Sequence, residues 1–185
     1  MSFDPDALWR QIKPEKHRSQ IKPDFDRFVV DVDQLSGRSS AFVPDTMVYM
    51  AMAAGADTTR IEDLVSRSMQ HHSIVVLSEL LQGVSNFDPR HPDYEGVRRY
   101  YFDLINMIPR SRLILPDEDC WLRAGVIVGT INRTQNFGTS ERKELYADAL
   151  IYLSASKRGL PVLTRNVRDF ALIGTVHGAG RIIRY

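Results

Sequence analysis

Short apolar runs alternate along this chain with longer stretches in which apolar residues recur at helical spacing, and the alternation is regular from residue 41 onward. Ala41-Phe42-Val43-Pro44 reads as a brief strand that ends at Asp45, and Thr46–Ala54 as a helix closed by Gly55. Thr59-Arg60-Ile61-Glu62 has capping-box spacing for a second helix through Met69. The β-branched run Ser73-Ile74-Val75-Val76-Leu77 predicts a buried strand, with Ser78 capping a helix that begins at Glu79. A loop over 86–93, a helix over Tyr94–Met107 and a strand at Arg112-Leu113-Ile114-Leu115, stopped by Pro116, come next. Helices are expected over 117–132 and 140–157, the second ended by Gly159. A strand over 160–164, a short helical turn after Asn166 and a last strand at Arg181-Ile182-Ile183 complete the pattern.

The first forty residues read differently. Pro5, Pro14 and Pro23 interrupt helical periodicity, only Phe28-Val29-Val30-Asp31-Val32 is extended in character, and Gly37-Arg38-Ser39-Ser40 reads as a turn. Residues 1–40 are therefore taken as an N-terminal arm and 41–185 as the domain proper. Strands too short to be buried helices, separated by amphipathic helices, imply βαβ units: an α/β fold with a central, mainly parallel sheet covered on both faces. In such sheets ligand chemistry gathers at the carboxyl ends of the strands.

Composition narrows the classes without choosing one. With 185 residues, 43% hydrophobic and 25% charged, the chain suits one domain with a real core. No run is long and apolar enough for a membrane span, and the mixed-charge N-terminus lacks the pattern of an export signal, so a soluble, cytoplasmic protein is expected. Cys120 is the only cysteine, which excludes an intrachain disulfide and a Cys-rich zinc site. The formal net charge of +1 neither favours nor excludes nucleic acid. No dinucleotide fingerprint, P-loop or GxSxG elbow occurs, and Met47 stands where an aspartyl phosphatase would carry its second Asp. His71-His72 is adjacent, which does not suit two ligands on one helix, and reads as a polar loop entering a strand.

The acidic residues carry the chemistry. Asp45, Glu79 and the Asn166–Asp169 segment all lie just beyond expected strand ends. Asp45 could equally serve as a helix cap, Glu79 as a first-turn acid, and Asp169 as an ion-pair partner of Arg165 or Arg168. Asp148 is different, because Leu145, Asp148, Ala149, Tyr152 and Ser156 share one helical face and set a carboxylate in a largely apolar stripe. Carboxylates converging on one pit repel each other and need protons or cations. An oxygen-only donor set points to Mg²⁺ or Mn²⁺, which can activate water for in-line attack at phosphorus.

Four segments resemble one family, the PIN domains, and within it the VapC toxin ribonucleases of bacterial VapBC toxin-antitoxin modules. They are Phe42-Val43-Pro44-Asp45-Thr46, Ser78-Glu79-Leu80-Leu81-Gln82-Gly83, Asp148-Ala149-Leu150-Ile151, and Gly159-Leu160-Pro161-Val162-Leu163-Thr164-Arg165-Asn166-Val167-Arg168-Asp169-Phe170, the last being the most specific. The resemblance spans about residues 41–185. It implies a three-layer α/β/α domain in which Asp45, Glu79, Asp148 and Asp169 bind metal and orient water, with Thr46, Thr164 and Asn166 bonding beside them. Met47 departs from the polar residue common at that position. The resemblance further implies endonucleolytic cleavage of RNA, often tRNA or rRNA, a homodimer, and inhibition by a cognate antitoxin. Arg165 and Arg168 are the expected RNA-binding cations at the rim. The rival reading is a catalytically silent PIN-like module that binds RNA or protein.

Overall fold

Residues 4–35, 40–55 and 59–185 are described by the structure, a computed structural model. The turn expected at Gly37-Arg38-Ser39 lies outside them. Five strands form one sheet: β1 (Val29–Asp31), β2 (Ala41–Pro44), β3 (Met69–Gln70), β6 (Val162–Thr164) and β7 (Ile182–Arg184), in the order β1-β7-β6-β2-β3 with all pairings parallel. Two further strands, β4 (His72–Ser73) and β5 (Leu113–Ile114), pair in parallel as a separate ladder. The ladder of β2 and β3 continues one residue, as the His71 N–H donates to the Phe42 carbonyl at 2.9 Å.

Strand alternation divides the apolar residues between two cores. Successive side chains on a strand point to opposite faces. Val43, Val162 and Ile182 accordingly join a large cluster with α7 (Glu118–Gln135), α8 (Thr139–Lys157) and α9 (Val167–His177). Phe42, Leu163 and Ile183 face the other way, against Val48 of α3 (Thr46–Ala54) and Ile61 and Leu64 of α4 (Thr59–Arg67). That makes three layers, α/β/α. The pair α5 (Ile74–Asn86) and α6 (Tyr94–Met107) packs together beside the sheet, and α6 buries no residue fully.

The N-terminal segment is tied to this body. Leu8 and Ile12 of α1 (Pro5–Ile12), with Ile21 and Phe28, belong to the large core, and β1 supplies an edge strand beside β7. Phe28 lies at the end of the one-turn α2 (Phe25–Phe28). The Arg133 guanidinium donates to the Pro14 carbonyl and the Gln135 amide to that of Ile21.

Three expected elements are corrected. The run from Ser73 to Leu77 is not a strand: β4 stops at Ser73, whose hydroxyl caps α5 by accepting from the Val75 N–H at 3.2 Å. Val76, Leu77, Leu80 and Val84 are buried while Ile74 and Ser78 are exposed, which is helical spacing that β-branching masks. The turn after Asn166 is a full helix, α9. Phe170, Ala171, Leu172, Ile173, Gly174 and Val176 are all buried, so its sequence lacks the polar face that would reveal its length. The helix from Thr59 also ends earlier than expected, at Arg67, and Met69 begins β3.

Candidate active site

In the sheet, β2 and β6 are neighbours, and the chain leaves them toward opposite edges: β2 leads to β3 on one side, β6 to β7 on the other. A crevice at the carboxyl ends follows from that divergence. Asp45 sits at the end of β2 and Asn166 just beyond β6, so the two loops place polar side chains on the same rim.

Asp45 is buried and caps α3, its Oδ1 accepting from the Thr46 N–H at 2.6 Å. Its Oδ2 accepts from the Thr164 hydroxyl at 2.7 Å, and that hydroxyl accepts in turn from the Asn166 N–H at 2.8 Å. Although Asn166 stands at the N-cap of α9, its side chain makes no capping bond. Its Nδ2 donates to Asp148 Oδ2 at 2.9 Å. On the opposite side the Thr46 hydroxyl donates to Glu79 Oε2. One hydrogen-bonded chain thus runs from Asp148 through Asn166, Thr164, Asp45 and Thr46 to Glu79.

Glu79 reaches this chain from an unexpected place. It is in the second turn of α5 rather than at a strand end, because the helix begins at Ile74. Asp148 lies in the middle of α8 with only 9% of its surface exposed, and Leu145, Ala149 and Tyr152 beside it are buried, as the apolar stripe implied. Asp169 is in the first turn of α9, half-buried, and enters through its charge on Asp148.

The electrostatics are those of a site short of positive charge. Burial pushes the Asp148 carboxyl well above the usual carboxylate range, and the charges of Asp45, Asp169, Glu79 and Glu144 push the same way. Asp45 is raised by burial, partly offset by its bonds from Thr164 and Thr46. Glu79 is raised by burial and by the charges of Asp45 and Glu144, with the Thr46 bond opposing. The two arginines expected near Asp169 turn elsewhere: Arg165 lies over the Tyr185 ring at 4.8 Å, and Arg168 over Phe137 at 5.7 Å.

Oxygen donors, mutual repulsion and burial fit a hard divalent cation. Among the described residues no three carboxylate or imidazole groups converge on one point. The fit is therefore to an ion held by one or two carboxylates with water completing its shell, which is how Mg²⁺ is commonly bound. Asp148 with Asp45, Glu79 or Asp169 are the residues that could supply them.

Two residues at the site escape the sequence reading. Glu144 lies four positions before Asp148 on α8, hence on the same face, a spacing that is open to inspection. Tyr185 comes from the end of β7, and no local signal places it near Asp45. His72, expected in a polar loop entering a strand, is itself a buried strand residue, its Nδ1 2.5 Å from the Tyr49 hydroxyl.

A groove of about 220 Å³ opens from Thr46 and Glu79 between α3, α5 and α6, lined by Met50, Leu80, Val84, Phe87 and Tyr101. Another, of about 610 Å³, is lined by Glu79, Glu144, Trp121 and Tyr146 among others. Among the described residues no helix is long and apolar enough to cross a membrane.

No family model and no curated protein sequence matches the chain. Solved structures do. A chain of VapBC2 from Rickettsia felis bound to a fragment of promoter DNA aligns with a TM-score of 0.53 and 19% identity, over 78% of this chain and 98% of that one. DNA-bound VapBC from Salmonella typhimurium gives 0.55 and 21%, over 78% and 98%. VapBC-5 from Mycobacterium tuberculosis gives 0.51 and 22%, over 79% and 99%. At these identities the likeness is one of fold. The chain has the PIN-like α/β/α architecture of these VapBC structures, as the sequence resemblance implied.

Proposed function

We propose that this chain is a metal-dependent endoribonuclease, the toxin of a toxin-antitoxin pair. The observation that carries the reading is Asp148: a buried carboxylate on which the charges of four others act, bonded to the side chain of Asn166. A cap or ion-pair role explains Asp45, which does cap α3, but it gives Asp148 no purpose in an apolar helix face.

Mg²⁺ or Mn²⁺ at this site supplies positive charge against the negative charge that develops at phosphorus and lowers the pKa of bound water. The remaining work belongs to the protein. Thr164 and Thr46 fix both oxygens of Asp45, so that carboxylate needs no reorganisation when substrate arrives. Asn166 fixes one oxygen of Asp148. Glu79 keeps Oε2 on Thr46 and leaves Oε1 to take a proton from water. Its raised pKa makes it a better base than an ordinary carboxylate. In this reading Arg165 and Arg168, exposed beside Asn166, meet backbone phosphates. The fold likeness to VapBC structures supports a cognate antitoxin, and a toxin of this kind would act in the cytoplasm. The exposed Tyr100, Phe102 and Met107 of α6 support a homodimer.

The decisive test incubates wild type and Asp148→Asn with total RNA and labelled tRNA in Mg²⁺, Mn²⁺ and EDTA. Cleavage by wild type with metal alone, lost in the variant, is the expected outcome. No cleavage under any condition, with no heat of Mn²⁺ binding by titration calorimetry, would overturn the reading in favour of a silent PIN-like module.

A further inference from the structure

Both arginines at the rim are held by aromatic rings. In the sheet Thr164 and Arg184 are register partners, so the residues that follow them, Arg165 and Tyr185, leave adjacent parallel strands side by side. The Arg165 guanidinium carbon stands 4.8 Å from the Tyr185 ring centre. Tyr185 itself is anchored against the smaller core, its hydroxyl is buried without a hydrogen-bond partner among the described residues, and it lies close enough to Asp45 to feel its charge. Arg168 repeats the arrangement three residues on, 5.7 Å from the ring of Phe137, which is buried in the larger core.

A ring and a carboxylate hold a guanidinium in different ways. A carboxylate consumes its N–H donors, whereas a ring takes the flat face and leaves the donors free in the plane. Arg27 and Arg98 also lie over rings, Phe28 at 5.0 Å and Phe102 at 5.3 Å, but both have donors engaged, by the Gly178 carbonyl and by Glu95, while Arg123 and Arg184 are held by Asp119 and Asp31. Among the described residues neither Arg165 nor Arg168 makes an ion pair, so each keeps a fixed position with its donors free.

We infer that Tyr185 and Phe137 are positioning residues that hold Arg165 and Arg168 as a two-point grip for the phosphates of single-stranded RNA at the rim of the acid pit. The inference rests on the proposed nuclease for the identity of the polymer. The unpartnered tyrosine hydroxyl identifies the ring, not the O–H, as the functional part.

The test uses the full chain and two readouts: anisotropy of a fluorescein-labelled single-stranded RNA oligonucleotide in EDTA, and KM and kcat for its cleavage in Mg²⁺. Tyr185→Leu is expected to weaken binding and raise KM by about two- to fivefold, the worth of one such contact, with kcat little changed. Tyr185→Phe should match wild type. In an Arg165→Gln background Tyr185→Leu should add nothing, and Phe137→Leu should be silent in the same way with Arg168→Gln. Additive effects, or Tyr185→Phe as weak as Tyr185→Leu, overturn the inference. Should Tyr185→Leu fail to fold, Arg165→Lys at its exposed position decides: the brace requires about a two- to fivefold loss despite unchanged charge, and wild-type binding refutes it. Wild type that binds RNA with this coupling but never cleaves it removes the nuclease and keeps the grip. Cleavage without the coupling does the reverse, and absence of both binding and cleavage removes both.

Discussion

Replacing Asp148 by Asn should make the metal-free protein more stable while abolishing the proposed nuclease activity. Asn has the same shape and keeps an oxygen to accept from Asn166 Nδ2, so packing and that hydrogen bond survive. What disappears is a buried charge opposed by those of Asp45, Asp169, Glu79 and Glu144. The sign follows from linkage. A carboxyl whose pKa is raised by folding binds more protons in the native state than in the unfolded chain. Its full contribution is present below the unfolded value, and stability is lost as pH rises toward the native one. Across that window Asp148 alone should remove up to about 1.4 kcal/mol per pH unit. Wild type in EDTA should therefore weaken as pH rises above the unfolded carboxyl value of about 4, with Asp45 and Glu79 adding in the same direction. Asp148→Asn should show a shallower slope and about 1–3 kcal/mol more stability near neutral pH, the usual size of relieving one poorly compensated buried group. Urea melts at a series of pH values measure both. Millimolar Mn²⁺ should raise the wild-type midpoint and leave that of the variant nearly unchanged. A variant less stable than wild type in EDTA at every pH would refute the reasoning, since it would mean that the charge is compensated.

Thr164→Val keeps the shape of a fully buried side chain but strips Asp45 of a donor and leaves the Asn166 N–H without its acceptor. A stability loss of about 1–3 kcal/mol by urea melt is expected, with kcat falling more than KM changes. Gly180 has φ +101°, and a Cβ there would meet the Tyr152 ring and hydroxyl at 2.5 Å, so Gly180→Ala should cost about 2–4 kcal/mol, read as a lowered Tm. Burial, with the nearby charges of Arg112 and His71, pushes His72 down to about 4, so its ring resonances should stay at the neutral position down to about pH 5 by NMR. The matching sign is opposite to that of the acids: His72 stabilises above its unfolded value near 6.5, and that stability is lost as pH falls toward 4.

What can be read in the sequence depends on how one-sided each element's burial is. The strands at residues 41–44 and 162–164 are visible because a short apolar run bounded by turn residues is too short for a buried helix and too apolar for a loop. The burial of Asp148 is visible because its neighbours at helical spacing are apolar. α9 reads as too short because a helix buried all round carries no period, and α5 reads as starting late because Ile74, Val75 and Val76 prefer strands until tertiary packing overrides them. The true start of α5 moves Glu79 from a helix start into the second turn yet keeps it among the site's acids. The contact of Tyr185 with Arg165 depends on the register of β6 against β7, a relation between segments 20 residues apart that no local pattern contains.

The arrangement of the acids argues against a passive scaffold on energetic grounds. A fold that needed only caps would keep Asp45, whose bond to the Thr46 N–H stabilises α3 at little cost. It would gain nothing from Asp148, where burial and four like charges all act against ionisation and an apolar residue would pack as well. Nor would it need Asn166 to forgo capping α9 in order to hold that same carboxylate, or Thr164 to bridge Asp45 and the Asn166 backbone. These bonds fix the geometry of groups that repel one another. Such an arrangement is intelligible on the proposed function, in which a cation would offset the repulsion and the fixed oxygens would orient water toward phosphorus. The arginines then belong outside the pit, held by rings rather than by its acids. A guanidinium drawn into the cluster would neutralise the carboxylates and close the space the cation requires.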